Sequence, residues 1–593
     1  LNVKVIGNNN YLGDLKEEFF LNRGIKNHYD FITLKGLKHT NPFEFTNMEE
    51  AVSFLLSKEG CNIGIVVDSD ADGLSSASEL HNYFETYLDY NVKMSIHRTK
   101  THGIKMTELE EDGILDWADI LIVPDAGSSD YEEHKRLKNE YGITTIVIDH
   151  HVADYRSRDA IVVNNQLDNI SVNLTGSALA YKFLQAIDMK IGENGAENFI
   201  DLCAIGLIGD MADNRDLEVQ YLIRNGLSNI QNMFFKTIIE DNYSIKENDL
   251  KAISLAFSLI PMINACTRVS TYEEMKIVID AMCNIGVDRT FEYEFKKGKN
   301  KGQKIQENLY EYAHRVATRC RTRQKGMVDK ALVGSSRPKK EGILSKLSND
   351  DVKNPNQKII VVDATDYIED SGLSGLVANK IMYIYNKPVI VFIKKKVGYL
   401  GSARGEQIAM LRTRLEESNL FEYAQGHEPA CGVRLLGDKT PEQISKELNK
   451  YFENENTEAQ YVVDFSIPSE YMEDYIVEEL SQLEEFFGTG IKTPLIHVSN
   501  LIIKTNSVNT GKNSNIFSFY HNYIEFMKFN VNEDIIESLL SWDDYCIYDV
   551  VCKPNINEYN GRRTVQLVIE AIELVGTENS GREVDDESEE FEW

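Results

Sequence analysis

The chain has 593 residues, 42% of them hydrophobic and 26% charged, with a formal net charge of −31 at pH 7. That length predicts three or four domains, each with its own core, and no run of 18 apolar residues marks a membrane span. The acidity excludes nucleic-acid binding spread over the whole surface, because phosphates repel an acidic field.

Residues Leu1 to Asn10 lack the basic-then-apolar pattern of a signal peptide. Between 60 and 165, apolar runs alternate with helical stretches, which predicts a parallel sheet with crossovers. Strands are expected at 62–67, 92–97, 119–124, 144–148 and 160–163, and helices at 75–88, 105–116 and 129–141. Acids keep falling at strand ends: Asp68, Asp70 and Asp72 after the first, Asp125 after the third, and Asp149 with His150 and His151 after the fourth. In open α/β sheets that edge is where ligands bind.

Residues 177–285 read as mainly helical, with Cys203 to Leu207 leading into Gly209-Asp210. A long basic helix is expected over 296–330, then a Gly/Ser/Pro/Lys linker at 334–342. Between Lys296 and Lys340, 14 Lys/Arg stand against three Asp/Glu, which suits a groove that touches phosphates; a solvated helix face is the plainer alternative. A second α/β unit begins near Lys358, with apolar runs at 359–363, 388–393 and 432–435 and a helix at 374–385. From about 461 to 575, short alternating segments such as Ile524 to Phe529 predict a small β-barrel. Its Phe517, Phe519, Tyr520, Tyr523 and Phe526 serve either as core or as stacking platforms for bases. The last 11 residues carry seven acids, a composition expected to stay disordered. The eight cysteines show neither CxxC nor zinc spacing, which predicts buried free thiols in a reducing cytoplasm.

Asp68, Asp70, Asp72, Gly73 and Glu79 also satisfy a calcium-loop pattern. That loop needs a preceding helix, however, and Ile63-Gly64-Ile65-Val66-Val67 is a strand-like run. Oxygen donors together with imidazole suit Mn²⁺ well, and Mg²⁺ less well. Two such ions could activate a water and clamp a scissile phosphate. The candidate ligands are Asp70, Asp72, Asp125, His150 and Asp210, with Asp68, Asp149 and His151 orienting ligands or contacting the phosphate.

These motifs resemble those of the DHH phosphoesterase superfamily, and within it the RecJ group of single-strand 5′ exonucleases. Asp68 to Gly73, Asp125-Ala126-Gly127, Asp149-His150-His151 and Asp210 match its four motifs. Pro261 to Arg268 is similar to a further stretch, with Thr267 where the group has glycine. Gly401-Ser402-Ala403-Arg404 and Gly426-His427-Glu428-Pro429-Ala430-Cys431-Gly432 resemble the DHH-associated domain, and Phe486-Phe487-Gly488 resembles the segment leading into the RecJ OB-fold. After Arg98, the family's Gly-Tyr-Gly reads His102-Gly103-Ile104 here.

The resemblance implies an α/β protein: a parallel-sheet DHH domain and a second α/β DHH-associated domain joined by a long helix, with a C-terminal OB-like β-barrel. The implied boundaries are 1–290, a basic connector and linker at 291–342, 343–460, 461–576, and an acidic disordered tail at 577–593. It further implies a two-metal, Mn²⁺-preferring 5′→3′ exonuclease of single-stranded DNA, acting in recombination or repair, with the strand threading between the two α/β domains. Arg98, Arg268, Ser402 and Arg404 would bind the 5′-terminal phosphate. His427 stands between Gly426 and Gly432, which let a backbone approach closely, and is expected to contact the substrate backbone or the metal site rather than serve only as a core histidine. The acidic tail would either dock on a basic partner protein or only solubilise the chain. A phosphodiesterase acting on short RNA or small nucleotides is the rival reading.

Overall fold

The computed structural model of the protein describes all residues except 171–172, 242–249, 296–297, 300, 337–338, 348–353, 355, 458–459, 511–515, 530, 532–544, 560–561 and 579–593. Two packing units emerge. One comprises Arg23–Thr322 with Gln482–Thr493, and the other Leu1–Asn22, Arg323–Ser481 and Pro494–Trp593. Leu1–Asn22 thus leaves the expected 1–290 block, because Val3–Val5 pairs in parallel with Tyr461–Val463.

The first unit is built on five parallel strands: β1 (Asn62–Val67), β2 (Asn91–Ile96), β3 (Ile120–Pro124), β4 (Thr144–Asp149) and β5 (Ala160–Asn164). Their order is β2-β1-β3-β4-β5, all in parallel register. The inner strands β1, β3 and β4 read as near-continuous apolar, β-branched-rich runs because both faces are covered, whereas the edge strand β2 is half exposed. Ile63, Ile65, Ile120, Ile122, Ile146 and Ile148 pack into the larger helical core. Their neighbours Val66, Leu121, Val123, Val147 and Val162 fill the core on the opposite face.

Helix α1 (Ala71–Tyr87) starts four residues before the expected position 75, because the Asp70 carboxylate caps the N–H groups of Asp72 and Gly73. Helices α2 (Gly176–Ile191), α3 (Ile200–Gly209) and α4 (Leu259–Val269) are among the elements that fill the larger core. Among the described residues one stretch, Ala252–Val269, is long and apolar enough to cross a membrane, which amends the expectation of none. Half of it is buried, with Leu255, Leu259, Ile263 and Cys266 in the protein core.

The helix expected over 296–330 is shorter. Strands β6 (Thr290–Glu294) and β7 (Lys304–Asn308) form an antiparallel hairpin, and helix α5 (Leu309–Val333) follows. Phe291 of the hairpin stacks on Tyr312 at 4.3 Å, and Arg315 lies 3.7 Å from the Tyr293 ring centroid, so alternating aromatics pin it to the helix. The expected linker is also a hairpin, β8 (Gly334–Ser336) with β9 (Lys339–Glu341).

In the second unit, β10 (Ile360–Asp363), β11 (Val389–Lys395), β12 (Gly398–Arg404), β13 (Phe421–His427) and β14 (Ala430–Leu435) form a sheet of order β10-β11-β12-β14-β13, flanked by helix α6 (Ser374–Tyr385). The C-terminal strands are β15 (Phe465–Pro468), β16 (Ile496–Lys504), β17 (Ile516–His521), β18 (Ile524–Phe529), β19 (Tyr545–Tyr559) and β20 (Arg562–Glu578). They form a mixed six-stranded sheet of order β15-β16-β19-β20-β18-β17. Because Glu578 still pairs with Tyr545, β20 extends past Gly576, where a tail was expected; the acidic residues 579–593 lie outside the described residues. None of the eight cysteines is in a disulfide, and all but Cys61 are buried.

Candidate active site

The strand order reverses between β1 and β3, and in open α/β sheets that switch point opens a crevice at the carboxyl ends of the strands. Three strand ends and the last turn of α3 deliver acids and imidazoles there. Asp72, in the first turn of α1, is buried, and its carboxylate accepts hydrogen bonds from the Thr175 hydroxyl (2.9 Å), the Gly176 N–H (2.7 Å) and the Ser177 N–H (3.0 Å). Asp125 follows β3 with a left-handed φ of 62°. A Cβ on Gly176 would lie 2.3 Å from the Asp125 Cβ, so α2 reaches the site only as glycine.

His150 Nε2 lies 3.1 Å from Asp125 Oδ1, 3.6 Å from Asp210 Oδ2 and 3.9 Å from Asp72 Oδ2. Asp149 is buried and accepts from the backbone N–H groups of Ser128, His150 and His151 and from His151 Nδ1 at 2.8 Å. Burial opposes its charge, yet the His151 hydrogen bonds and the two imidazoles hold it well below the usual carboxylate range. Burial disfavours a charged His151, but its Asp149 partner wins and raises it to about 9. Asp68 accepts from His102 Nδ1 (2.6 Å) and the Gly103 N–H (3.2 Å).

Burial, with Asp72, Asp70, Asp68 and Asp210 adding repulsion, pushes Asp125 well above the carboxylate range. Burial together with Asp72 and Asp70 pushes Asp210 up to about 8. Such a cluster is short of positive charge. Asp125 Oδ1 and His150 Nε2 are both buried and have no hydrogen-bond partner among the described residues. Oxygen and imidazole donors left open in this way fit divalent cations. Three trios have ligand-capable atoms mutually within 4.8 Å: Asp72 with His150 and Asp210, Asp125 with His150 and His151, and Asp68 with Asp70 and His102.

The five expected ligands and three supporting residues therefore share one crevice. Arg268, on α4, is held down from its ordinary value by burial while Asp70 opposes that shift, and it has no hydrogen-bond partner among the described residues. Arg98 is placed differently. Its guanidinium is committed to Asp112 (2.6 and 2.8 Å) and lies over the Tyr272 ring. In the second unit, Ser402 Oγ is 2.8 Å from Ser374 Oγ at the start of α6, and Gly375 lies against Arg404. His427 is exposed at the end of β13. The sequence reading gave no role to His97, or to His102, which it met only as a departure from the family motif after Arg98; both follow β2. Glu79, the last position of the calcium pattern, is fully buried inside α1.

A parallel sheet of this order carrying this carboxylate–imidazole set defines a hydrolase of the DHH class. The model of the DHH family N-terminal domain matches residues 62–207, and that of the RecJ OB domain matches 463–571. The chain is 31% identical to YorK of Bacillus subtilis, named as an SPbeta prophage-derived single-strand DNA-specific exonuclease, over 97% of this chain and 98% of that protein. It is 24% identical to the single-stranded-DNA-specific exonuclease RecJ of Haemophilus influenzae, over 92% of this chain and 93% of that one. The crystal structure of Thermus thermophilus RecJ with Mn²⁺ superposes with a TM-score of 0.71 at 18% identity, covering 94% of this chain and 76% of that one, a likeness of fold. The chain belongs to the RecJ-like branch of the DHH family.

Proposed function

We propose that the protein is a single-strand-specific DNA exonuclease that works from the 5′ end with two divalent metal ions, Mn²⁺ preferred. The carrying observation is the convergence of Asp70, Asp72, Asp125, Asp210 and His150, with open donor atoms and with Asp125 and Asp210 driven up by burial and then by mutual repulsion. Two bound divalent cations would supply the charge that acidifies an attacking water and neutralises the scissile phosphate. The protein's own groups do the rest. Asp149 orients the His150–His151 turn, Thr175 and α2 fix Asp72, and Arg268 offers an uncommitted guanidinium beside Asp70 for a phosphate oxygen. In the second unit, Arg404 and Ser402 beside the first turn of α6 present a further phosphate contact. Of the five aromatics considered in the OB domain, Phe517, Phe519 and Phe526 are core, whereas Tyr520 and Tyr523 are exposed and suited to stacking bases.

The test is a Mn²⁺ time course on single-stranded DNA labelled at either end, with matched RNA and duplex DNA alongside. Immediate mononucleotide release from the 5′ label, with progressive shortening of the 3′-labelled strand, supports the reading. Turnover of dinucleotides with intact long strands would sink it and favour the small-substrate phosphodiesterase.

A further inference from the structure

Two histidines, His97 and His102, stand beside Asp68. His102 Nδ1 is 2.6 Å from Asp68 Oδ2, and Asp68, Asp70 and His102 hold their ligand-capable atoms within 4.8 Å of one another. His97 Nε2 lies 3.9 Å from Asp68 Oδ1; its side chain is 3% exposed, and this nitrogen has no hydrogen-bond partner among the described residues. Its other nitrogen is fixed by Glu108 at 2.6 Å.

The loop carrying His102 is a built support. Gly103 turns with φ 72°, a Cβ there would strike the Asp130 carboxylate at 2.3 Å, and its N–H holds Asp68 Oδ1 at 3.2 Å. The Ile104 N–H is held by Asp130 at 2.7 Å. Only the imidazole of His102, about half exposed, reaches outward from this anchor.

We infer that His102 is a direct nitrogen ligand for one of the two divalent ions, shared with Asp68 and Asp70. This rests on the two-metal reading above. A cation there would be held by His102, Asp68 and Asp70, with Asp68 kept in place by the Gly103 N–H on its Oδ1. The consequence is selectivity. With His150 in both of the other trios and His151 in one of them, an imidazole on this side as well makes both halves of the centre favour Mn²⁺, since Mg²⁺ prefers oxygen shells.

The experiment is calorimetric titration of the full chain with Mn²⁺ and, separately, Mg²⁺, comparing wild type with His102→Gln and His102→Asp. Melting in EDTA establishes that each variant folds. The expected result is two Mn²⁺ per wild-type chain. In His102→Gln, one Mn²⁺ site should weaken about tenfold or more while Mg²⁺ affinity changes by less than about threefold. In His102→Asp, an oxygen donor in the same place should move preference towards Mg²⁺. Equal weakening of both ions would make His102 only an orienting group for Asp68 and overturn the assignment. A wild-type chain that binds two ions, with both variants keeping the wild-type Mn²⁺ to Mg²⁺ ratio, also overturns it but leaves the two-metal reading standing. Failure of the wild type to bind Mn²⁺ would remove both.

Discussion

His150 Nε2 and Asp125 Oδ1 are 3.1 Å apart, both buried, and yet not hydrogen-bonded to each other or to any other described residue. A protein that placed these atoms only for its own stability would align a hydrogen bond between them, because an unmet buried polar group costs about 1–3 kcal/mol. Asp125→Asn should therefore do two opposite things. Cleavage should fall by roughly three orders of magnitude or more, as expected when a metal's charge stabilisation is lost. Metal-free stability should rise by about 1–2 kcal/mol, because a repelled buried carboxylate is removed. Urea melts in EDTA beside a Mn²⁺ cleavage assay check both, and an active Asn variant would refute the site.

Arg268 is the guanidinium near Asp70 that the fold leaves without a hydrogen-bond partner among the described residues. Arg268→Ala should lower kcat/KM on single-stranded DNA about 10- to 100-fold, the range of one charged hydrogen bond. Arg98→Ala should act instead through stability, since Arg98 is spent on Asp112. If Arg98→Ala proves the more damaging to catalysis at full folding, these roles are reversed.

Arg404→Ala should erase the preference for 5′-phosphorylated over 5′-hydroxyl strands while leaving strand binding by the OB domain intact. Tyr520→Ala and Tyr523→Ala should each cost about 1–3 kcal/mol of strand binding with that preference unchanged. Fluorescence titrations and paired-substrate rates separate the two effects. A phosphate preference that survives Arg404→Ala removes that residue from end recognition.

The catalytic sheet was legible because a parallel strand buried on both faces is an unbroken β-branched run, and Asp68, Asp125 and Asp149 mark where three such runs stop. The hairpin Thr290–Asn308 was not. Its half-exposed strands alternate Phe291 and Tyr293 with glutamates, and the lysines that follow overwhelm that signal with helix-like composition. Strands Gly398–Arg404 and Phe421–His427 were hidden for a similar reason, being only partly buried and broken by glycine. Asp70 as a helix cap moved α1 forward by one turn. His102 could be found only through space, since 34 residues separate it from Asp68.

His134 gives the fold an acid-labile point away from the carboxylates. It is fully buried, both ring nitrogens lack partners among the described residues, and burial lowers it from 6.5 to about 4. Between those values the unfolded chain binds the proton and the folded chain does not. Stability is therefore lost as pH falls through 6.5, and the loss levels off below about 4. At full extent it amounts to about 3 kcal/mol. His134→Leu should flatten the urea midpoint between pH 7.5 and 4.5, and a variant with the wild-type slope would locate the acid sensitivity elsewhere.

Lys182 on α2 and Glu218 form an ion pair at 2.6 Å with side chains only 1% and 3% exposed. Glu218 also accepts from the Thr40 N–H and hydroxyl, and Lys182 donates to the Thr40 carbonyl, so three elements meet at one buried charge pair. Lys182→Met leaves Glu218 buried and unpaired, and should cost about 3–5 kcal/mol. Adding Glu218→Leu removes the stranded charge and leaves only the Thr40 groups unmet, at about 1–3 kcal/mol. The double variant should therefore be more stable than Lys182→Met alone, an ordering that chemical denaturation of the three proteins would show. If the two losses simply add, the pair contributes no coupling and the junction is held by packing.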